Sequence, residues 1–191
     1  MKFRHAKAVC AVCALMLVVT GCQSRQYAPI STADYVDLQR FMGDWYVIAH
    51  IPTFIEAGAY QAVESYTLGA DGQIDTRFTF LDGSFEGQQK TYFPTGFVVD
   101  GTRNAVWKMQ FVWPFKADYR VVYVDAEYRY TIIGREARDF VWIMARTPLV
   151  DATDYADLLS RVAAEGYDLS QLRQVPQRPQ TVADAPAMRA L

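Results

Sequence analysis

The sequence is poor in cysteine and histidine, the side chains on which metal clusters and disulfide frameworks depend. Only three cysteines and two histidines occur in 191 residues. It also lacks an excess of either charge, since 19 Lys and Arg stand against 21 Asp and Glu. Without a basic excess, nucleic acid is not an expected partner. We therefore predict no metal site, no cofactor and no nucleic-acid interface.

Signatures of common catalytic sites are also missing. Beyond Cys22 the sequence has no G-x-S-x-G, G-x-G-x-x-G, P-loop or H-E-x-x-H motif. His50 is then the one candidate imidazole, as a base, a haem ligand or a plain polar residue at a rim. Glu64 and Glu86 fall in strand-like segments, where they either face solvent or point inward to bind a cationic or hydroxylated headgroup. We predict a protein that is not an enzyme.

What the sequence does have is apolar and aromatic residues. It is 51% hydrophobic and 21% charged, which is enough to bury a core. It holds 12 Tyr, 11 Phe and 4 Trp, and aromatic residues favour β structure. The length suits one domain with tails.

The first residues form a targeting segment. A basic start is followed by the apolar run Ala8–Val19, which is too short to span a bilayer of ~30 Å. Val19-Thr20-Gly21-Cys22 resembles a bacterial lipobox, which implies a signal peptide over 1–21 and lipidation of Cys22. The alternative is a plain signal peptide that ends near a cysteine. By resemblance to bacterial sorting signals, Gln23 favours the outer membrane, with the domain facing the periplasm.

Two polar segments flank the body of the chain. Residues 22–36 are polar around Pro29 and are predicted to be a flexible tether. Residues 176–191 contain three prolines and little pattern, so a disordered tail is expected there. The domain is therefore assigned to 37–175.

The body shows eight short segments of strand character, separated by turn residues such as Asp71-Gly72 and Asp100-Gly101. Ile74–Phe80 alternates apolar and polar residues, as a half-buried strand does. The predicted strands are Asp44–Ile51, Tyr60–Leu68, Gln73–Leu81, Phe85–Phe93, Ala105–Val112, Asp118–Val124, Tyr128–Gly134 and Asp139–Arg146. Short connections predict an all-β, eight-stranded antiparallel up-and-down barrel. A two-sheet sandwich fits the pattern alone equally well.

A helix follows the strands and is predicted to pack outside the barrel. Asp151 is its expected N-cap and Gly166 its C′ residue. An apolar stripe repeats at helical spacing: Tyr155, Leu158, Leu159 and Val162. Asp151, Asp154 and Asp157 also repeat every three residues; a solvated face explains them better than a metal site.

Counting strand directions places residues at the two ends of a closed barrel. Trp45 starts the first strand and Arg146 ends the last, so they are expected to meet as a cation–π pair. The opposite end carries loops that are rich in apolar residues: Phe54, Ile55, Trp113 and Phe115. Such loops suggest contact with a greasy partner, or they fold down and plug the barrel.

Three blocks resemble the lipocalin family. They are Phe41-Met42-Gly43-Asp44-Trp45-Tyr46-Val47-Ile48-Ala49, Asp125-Ala126-Glu127-Tyr128 and Trp142-Ile143-Met144-Ala145-Arg146-Thr147-Pro148, with Gly166-Tyr167-Asp168-Leu169 after the helix. Together they are similar to the bacterial outer-membrane lipocalins, a branch close to apolipoprotein D. The resemblance implies a calyx that is closed where the blocks cluster. It also implies fold roles, not ligand contacts, for Gly43, Trp45, Asp125, Tyr128 and Arg146.

The resemblance implies one small hydrophobic ligand, a fatty acid or a lysophospholipid, and a role in lipid storage or transport for envelope maintenance. The aromatic stretch Gln73–Val99 departs from the commoner bacterial pattern, which leaves the ligand open. Candidate ligand-binding residues are Phe54, Ile55, Trp107, Met109, Phe111, Trp113, Phe115 and Tyr119. The alternatives are a structural or assembly lipoprotein with a filled barrel, whose mouth is a protein or homodimer interface, and a carrier of pigment or haem.

Overall fold

A computed structural model describes residues 27–179. Its main elements are two helices and ten strands. They are α1 (Leu38–Phe41), β1 (Gly43–Ile51), β2 (Ala59–Leu68), β3 (Ile74–Asp82), β4 (Gln89–Tyr92), β5 (Thr95–Val98), β6 (Val106–Val112), β7 (Phe115–Val124), β8 (Tyr130–Gly134), β9 (Val141–Ala145), α2 (Ala152–Ala164) and β10 (Arg173–Gln174). A short 3₁₀ turn, Leu169–Gln171, precedes β10.

The strands form a closed eight-stranded antiparallel barrel, so the barrel prediction is confirmed and the sandwich is excluded. From β1 to β3 and from β5 to β9 each strand pairs with the next along the chain, and β1 also pairs with β9, for example Tyr46 with Ala145. β4 and β5 together supply the fourth wall strand: both pair with β3, and β5 continues the sheet to β6.

The predicted fourth strand, Phe85–Phe93, is only half right. Residues 84–88 form a turn, and the strand there is only β4. β4 pairs with the second half of β3, and β5, which the prediction missed, pairs with the first half. Pro94 separates the two pieces because proline cannot donate to a strand ladder. Gly87 lies so close to the Asp82 backbone that a Cβ there would be 2.0 Å from the Asp82 carbonyl oxygen. The predicted sixth strand, Asp118–Val124, corresponds to β7, which begins three residues earlier, at Phe115.

The end of the barrel opposite the loops is plugged by aromatic side chains. α1 crosses this end, and its Phe41 ring lies 5.1 Å from the Trp45 ring and 5.4 Å from the Trp107 ring. Trp45 Nε1 donates to the Phe41 carbonyl at 2.8 Å. Arg146 lies over the Trp45 ring, with its Cζ 3.8 Å from the ring centroid. This contact is the one that the strand count predicts.

The turn between β7 and β8 is built around Asp125 at this same closed end. Its carboxylate accepts hydrogen bonds from the backbone nitrogens of Arg129 and Tyr130 at 2.5 and 2.7 Å. Tyr128 adopts a positive φ of 58° in the turn, and its hydroxyl accepts from the Asp37 nitrogen at 2.8 Å. Gly43 has a φ of 93°, which glycine tolerates at no steric cost.

The segment predicted as a flexible tether, 22–36, is packed against the barrel from Tyr27 onward. Ile30 and Val36 are buried, and the Ala33 nitrogen donates to the Val121 carbonyl at 2.9 Å. The segment runs along the barrel wall toward the closed end. Its apolar residues Ile30 and Val36 are buried against the barrel. Cys22 itself lies outside the described residues.

The first residues of the predicted tail, 176–191, are also part of the wall. β2 pairs with β1 only at the lower end of the strand, and the C-terminal segment occupies the space above that pairing. The Gln177 side-chain amide donates to the Val47 carbonyl at 2.9 Å and to the Ala62 carbonyl at 3.1 Å. The tail prediction is therefore wrong for Pro176–Arg178, and residues 180–191 lie outside the described part.

α2 packs on the outside of the barrel with Leu158 and Val162 buried. The predicted N-cap is confirmed, because the Asp151 carboxylate accepts from the nitrogens of Thr153 and Asp154 at 2.9 Å. Gly166 follows the helix with a φ of 89°, as a C′ residue does. None of the helices within residues 27–179 is long and apolar enough to cross a membrane.

A candidate ligand-binding cavity

The open end of the barrel leads into a cavity of about 360 Å³. This volume lies at the lower end of the ~300–1,000 Å³ that small-molecule sites occupy. The lining is mostly apolar and comes from the barrel strands and from three mouth loops. The lining residues are Thr53, Phe54, Ile55, Glu56, Glu64, Phe78, Met109, Phe111, Val112, Phe115, Ala117, Asp118, Tyr119, Arg135, Phe140 and Trp142.

Six of the eight candidate binding residues line this cavity: Phe54, Ile55, Met109, Phe111, Phe115 and Tyr119. Trp107 does not, because it is fully buried one step nearer the closed end, where its ring stacks on Tyr119 with centroids 5.4 Å apart. Trp113 is 82% exposed at the tip of the β6–β7 hairpin and is not part of the lining either. The structure therefore brings three of the four apolar mouth-loop residues to the cavity, and the predicted wall extends one inward position too deep, at Trp107.

The floor of the cavity is polar. Glu64 on β2 is the cross-strand partner of Trp45 on β1, so both side chains point into the barrel. Tyr66 is the next inward-pointing residue of β2 toward the closed end. The Tyr66 hydroxyl donates to the Glu64 carboxyl, and the hydroxyls of Tyr66 and Tyr119 are 2.5 Å apart. The three side chains thus form a buried hydrogen-bonded group, of which Glu64 and Tyr119 face the cavity.

Burial and, to a smaller extent, the nearby Glu56 carboxylate raise the pKa of Glu64 to about 8, against a lowering by the hydrogen bond with Tyr119. Burial is also the main reason that the pKa of Tyr119 lies well above its ordinary value. At neutral pH the Glu64 carboxyl is therefore mainly protonated. A neutral acid and two phenols can both donate and accept hydrogen bonds.

A second polar group lies on the wall above the floor. Glu56, in the loop after β1, folds inward and accepts from Trp142 Nε1 at 3.1 Å and from the Thr53 nitrogen at 3.1 Å. His50 Nδ1 is 3.6 Å from a Glu56 carboxylate oxygen. His50 is buried and does not line the cavity, which argues against a rim position and gives it no direct path to a bound ligand.

The rim is strongly apolar. Phe54 is 92% exposed, Phe115 76% and Phe111 49%. Exposed aromatic groups on adjacent loops mark surfaces that meet an apolar partner. The alternative in which these side chains fold down and plug the barrel is not what the structure has, since a cavity lies below them.

Several lining residues were missed by sequence reasoning: Phe78, Glu56, Arg135, Phe140 and Trp142. The clean alternation of Ile74–Phe80 could have found Phe78, because it places Phe78 and Phe80 on the inward face. Glu56 carried no signal, since a charged loop residue is ordinarily solvated.

The three aspartates of α2 have protein partners. Asp154 accepts from the Tyr130 hydroxyl at 2.7 Å, and Asp157 accepts from Arg161 Nε at 2.8 Å. Among residues 27–179 no group of three or more metal-binding side chains comes together. The aspartates therefore serve as cap, hydrogen-bond acceptor and ion-pair partner.

Comparison with known proteins agrees with this architecture. A family model described as a lipocalin-like domain matches residues 36–177. The outer membrane lipoprotein Blc of Citrobacter freundii is 30% identical over 169 residues, covering 88% of this chain and 95% of that protein. Temperature-induced lipocalin-1 of Arabidopsis thaliana is 30% identical over 154 residues, covering 74% of this chain and 80% of that protein.

Solved structures show the same fold at low identity. Lobster apocrustacyanin A1 superposes with a TM-score of 0.60 at 10% identity, covering 78% of this chain and 91% of that one. Insecticyanin from the tobacco hornworm does so with a TM-score of 0.60 at 16% identity, covering 82% and 87%. The barrel, the family match and the length of the match to the bacterial relatives lead to one conclusion: the chain belongs to the lipocalin family and is a relative of its bacterial outer membrane lipoproteins.

Proposed function

We propose that this lipocalin binds one single-chain lipid, with fatty acids and lysophospholipids as the candidate classes, and stores or transports it for maintenance of the cell envelope. The observation that supports this is the cavity, which lies at the loop end of the barrel and has an apolar wall and a volume of about 360 Å³. A cavity of this size suits one chain better than two. We assign binding and not catalysis to the site.

Burial of the lipid chain supplies the affinity. Apolar area removed from water contributes ~25 cal/mol per Å², and part of this is lost in ordering the chain and the mouth loops. Phe78, Met109 and Phe115 offer the apolar wall for that burial. The Glu56 hydrogen bonds to Trp142 and Thr53 hold the β1–β2 loop at the mouth, which lowers the ordering cost.

We further propose that Cys22 is acylated and anchors the protein to the outer membrane, on the periplasmic side. Arg138 lies in the loop between β8 and β9, at the mouth end, and its Nη2 donates to the Ala28 carbonyl at 2.7 Å. The described chain therefore begins beside the mouth. Cys22 precedes Tyr27 by five positions, a reach of roughly 17 Å when extended. An anchor there would hold the apolar rim toward the membrane.

Native mass spectrometry tests the binding proposal. The chain from Gln23 onward contains every described residue and is purified without detergent, and bound molecules are then extracted and identified. We expect one fatty acid or lysophospholipid per chain. A protein that carries no lipid and takes up none of the added single-chain lipids contradicts the proposal.

A second candidate function is supported by the exposed rim. Phe54, Trp113 and Phe115 could form an interface with another protein or with a second copy of the chain. Size-exclusion chromatography with light scattering distinguishes the two functions. A homodimer that is lost in Trp113→Ser, with lipid uptake absent in both proteins, favours the assembly role.

A further inference from the structure

The polarity of the cavity runs in the direction opposite to that expected for a lipid that enters tail first. A tail-first lipid needs an apolar floor and a polar rim for its headgroup. Here the floor presents Glu64 and Tyr119, and the rim presents Phe54, Phe111 and Phe115. Two other charged groups of the lining, Asp118 and Arg135, are already paired with Arg120 and Asp139. The terminal methyl of a tail would lie against hydrogen-bonding groups that it cannot satisfy, and such burial is costly.

The floor is also acidic. Among residues 27–179, Glu64 is hydrogen-bonded only within the acid–phenol group described above, and the Glu56 carboxylate is close enough to raise its pKa. Arg135 is the one basic residue of the lining, and it lies at the rim, where its Nη1 is 3.1 Å from the Asp139 carboxylate. A ligand at the floor therefore meets two carboxyl groups and no basic side chain of the lining.

We infer that the floor binds the protonated amine at the polar end of a single-chain amphiphile, whose chain then extends toward the apolar rim. This inference rests on the proposed function and names the ligand class for the same cavity. An ammonium group offers three donors and a charge, and pairing with a carboxylate, together with hydrogen bonds to the phenols, offsets part of the cost of burying both groups. A carboxylate in the same place would face Glu64 and Glu56 without a counter-ion.

The orientation also agrees with the proposed anchor. A membrane held at the mouth presents headgroups first, so an amphiphile that leaves it enters the calyx by its polar end. Its chain follows across Phe54 and Phe115, which cover it with apolar surface. Head-first entry thus needs no reversal of the lipid between membrane and cavity.

Three ligands with the same twelve-carbon chain test the chemistry: dodecylamine, dodecanol and lauric acid. Each is titrated into the chain from Gln23 onward below its micellar concentration, and binding is followed by calorimetry. We expect dodecylamine to bind about tenfold more tightly than lauric acid, with dodecanol between them. Lauric acid that binds as tightly as dodecylamine overturns the inference and leaves the proposed function standing. If none of the three ligands nor a lysophospholipid binds, the proposed function itself fails.

Glu64→Gln tests the residue, because it keeps the shape of the side chain and removes its ability to ionise when an ammonium group binds. Glu86→Gln is the matched control, since Glu86 is exposed and pairs only with Arg178 in the described chain. We expect Glu64→Gln to weaken dodecylamine binding about tenfold and to leave dodecanol within about threefold. Dodecylamine binding that is unchanged in Glu64→Gln contradicts the inference.

The pH dependence gives a further signature. Pairing with an ammonium group favours the ionised form of Glu64, so binding at neutral pH releases a proton and tightens as pH rises from about 6 to about 8. Tyr66, Tyr119 and Glu56 face Glu64 from β2, β7 and the β1–β2 loop, and His50 faces Glu56. The slope that belongs to Glu64 is therefore the part that Glu64→Gln removes. A slope that persists in this variant counts against the inference.

A measurement that leaves Glu64 unchanged reports the orientation even if a Glu64 variant fails to fold. Dodecylamine brominated at the far end of its chain carries a tryptophan quencher. Head-first binding places the bromine at the rim, so Trp113→Phe is expected to remove part of the quenching, while Trp142, which lines the cavity, retains the rest. Quenching that is the same in both proteins contradicts head-first binding.

Discussion

Arg146 lies across the face of Trp45, with its Cζ 3.8 Å from the ring centroid, and its guanidinium also closes the bottom of the barrel. Its nitrogens donate to the carbonyls of Asp44, Arg40, Phe41, Met42 and Tyr128, at 2.7 to 3.3 Å. These carbonyls belong to α1, the start of β1 and the β7–β8 turn. One side chain, just after β9, therefore ties together the α1–β1 junction and the β7–β8 turn, which are distant in sequence.

Replacing Arg146 by Lys is expected to lower the free energy of unfolding by about 2 kcal/mol, because an ammonium cannot reproduce the planar fork or its stacking on indole. Urea unfolding followed by circular dichroism measures the change. Arg161→Lys is the control, since Arg161 also lies over an aromatic ring, Tyr123, but at the half-exposed surface; a change of at most about 0.5 kcal/mol is expected there. Equal losses in the two variants would argue against the closing role of Arg146.

Trp107 and Phe111 lie on the same face of β6 but are expected to respond differently to Asp. Trp107 is fully buried below the cavity floor, so Trp107→Asp places an unpaired charge in the core and prevents folding. Phe111 is 49% exposed at the rim, so Phe111→Asp folds and loses apolar contact with the ligand. Circular dichroism reports folding, and the fluorescence of the neutral probe Nile red reports binding.

The control for Phe111 is Phe93→Asp, because Phe93 is 73% exposed and lies away from the cavity. We expect Phe111→Asp to weaken Nile red binding about tenfold and Phe93→Asp to leave it unchanged. A fully folded Trp107→Asp protein, or full affinity in Phe111→Asp, would contradict this division of the strand.

Gln177→Ala is expected to destabilise the barrel by about 1–3 kcal/mol, because it removes the two hydrogen bonds of the side-chain amide and leaves the carbonyls of Val47 and Ala62 without that donor. Thermal unfolding measures the effect. Gln174→Ala serves as the control, because Gln174 is an exposed residue of the same segment, and it is expected to change the thermal stability little. If Gln177→Ala is as stable as Gln174→Ala, the segment does not contribute to the wall as described.

The closed end of the fold could be predicted from the sequence because it depends on local patterns and on strand parity. Turn residues separate the strands, and counting their directions brings Trp45 and Arg146 together without any knowledge of side-chain packing. Pro176–Arg178 could not be placed this way. Their role depends on a gap between β1 and β2 above the Tyr46–Val63 pair. Both strands are irregular beside it, at Val47–Ala49 and at Tyr60–Val63, and such irregularities are not visible in the sequence pattern.

The cavity was only partly predictable. Apolar residues on mouth loops indicated where it opens, and alternation along β6 indicated Met109 and Phe111. The sequence favours a solvent-facing Glu64, because a charged side chain is ordinarily solvated, and this expectation is wrong since Glu64 is buried and lines the cavity. Its inward position follows from the shared register with Trp45 and from the phenols of Tyr66 and Tyr119, which reach it from strands far apart in sequence.

The buried Glu64 carboxyl predicts an unusual pH dependence of stability. Its pKa is about 8 in the folded chain, against 4.5 for an ordinary glutamate, mainly because burial penalises the charge. Between these two values the folded chain keeps a proton that the unfolded chain has lost. Rising pH therefore favours unfolding, by about 1.4 kcal/mol per pH unit at most, and the effect levels off above about pH 8.

Chemical denaturation of the chain and of Glu64→Gln between about pH 5 and about pH 8 isolates this contribution, since the difference between the two proteins removes the effects of the other titrating groups. We expect the variant to gain stability relative to the parent chain as pH rises, because Gln carries no charge to bury. Glu86→Gln, at an exposed position, is expected to track the parent chain at every pH. A difference between parent and Glu64→Gln that stays constant with pH would mean that Glu64 has the same pKa in the folded and unfolded chains. Because a buried Glu64 requires stability to fall as pH rises, the absence of that fall would mean that water reaches the cavity floor through the mouth.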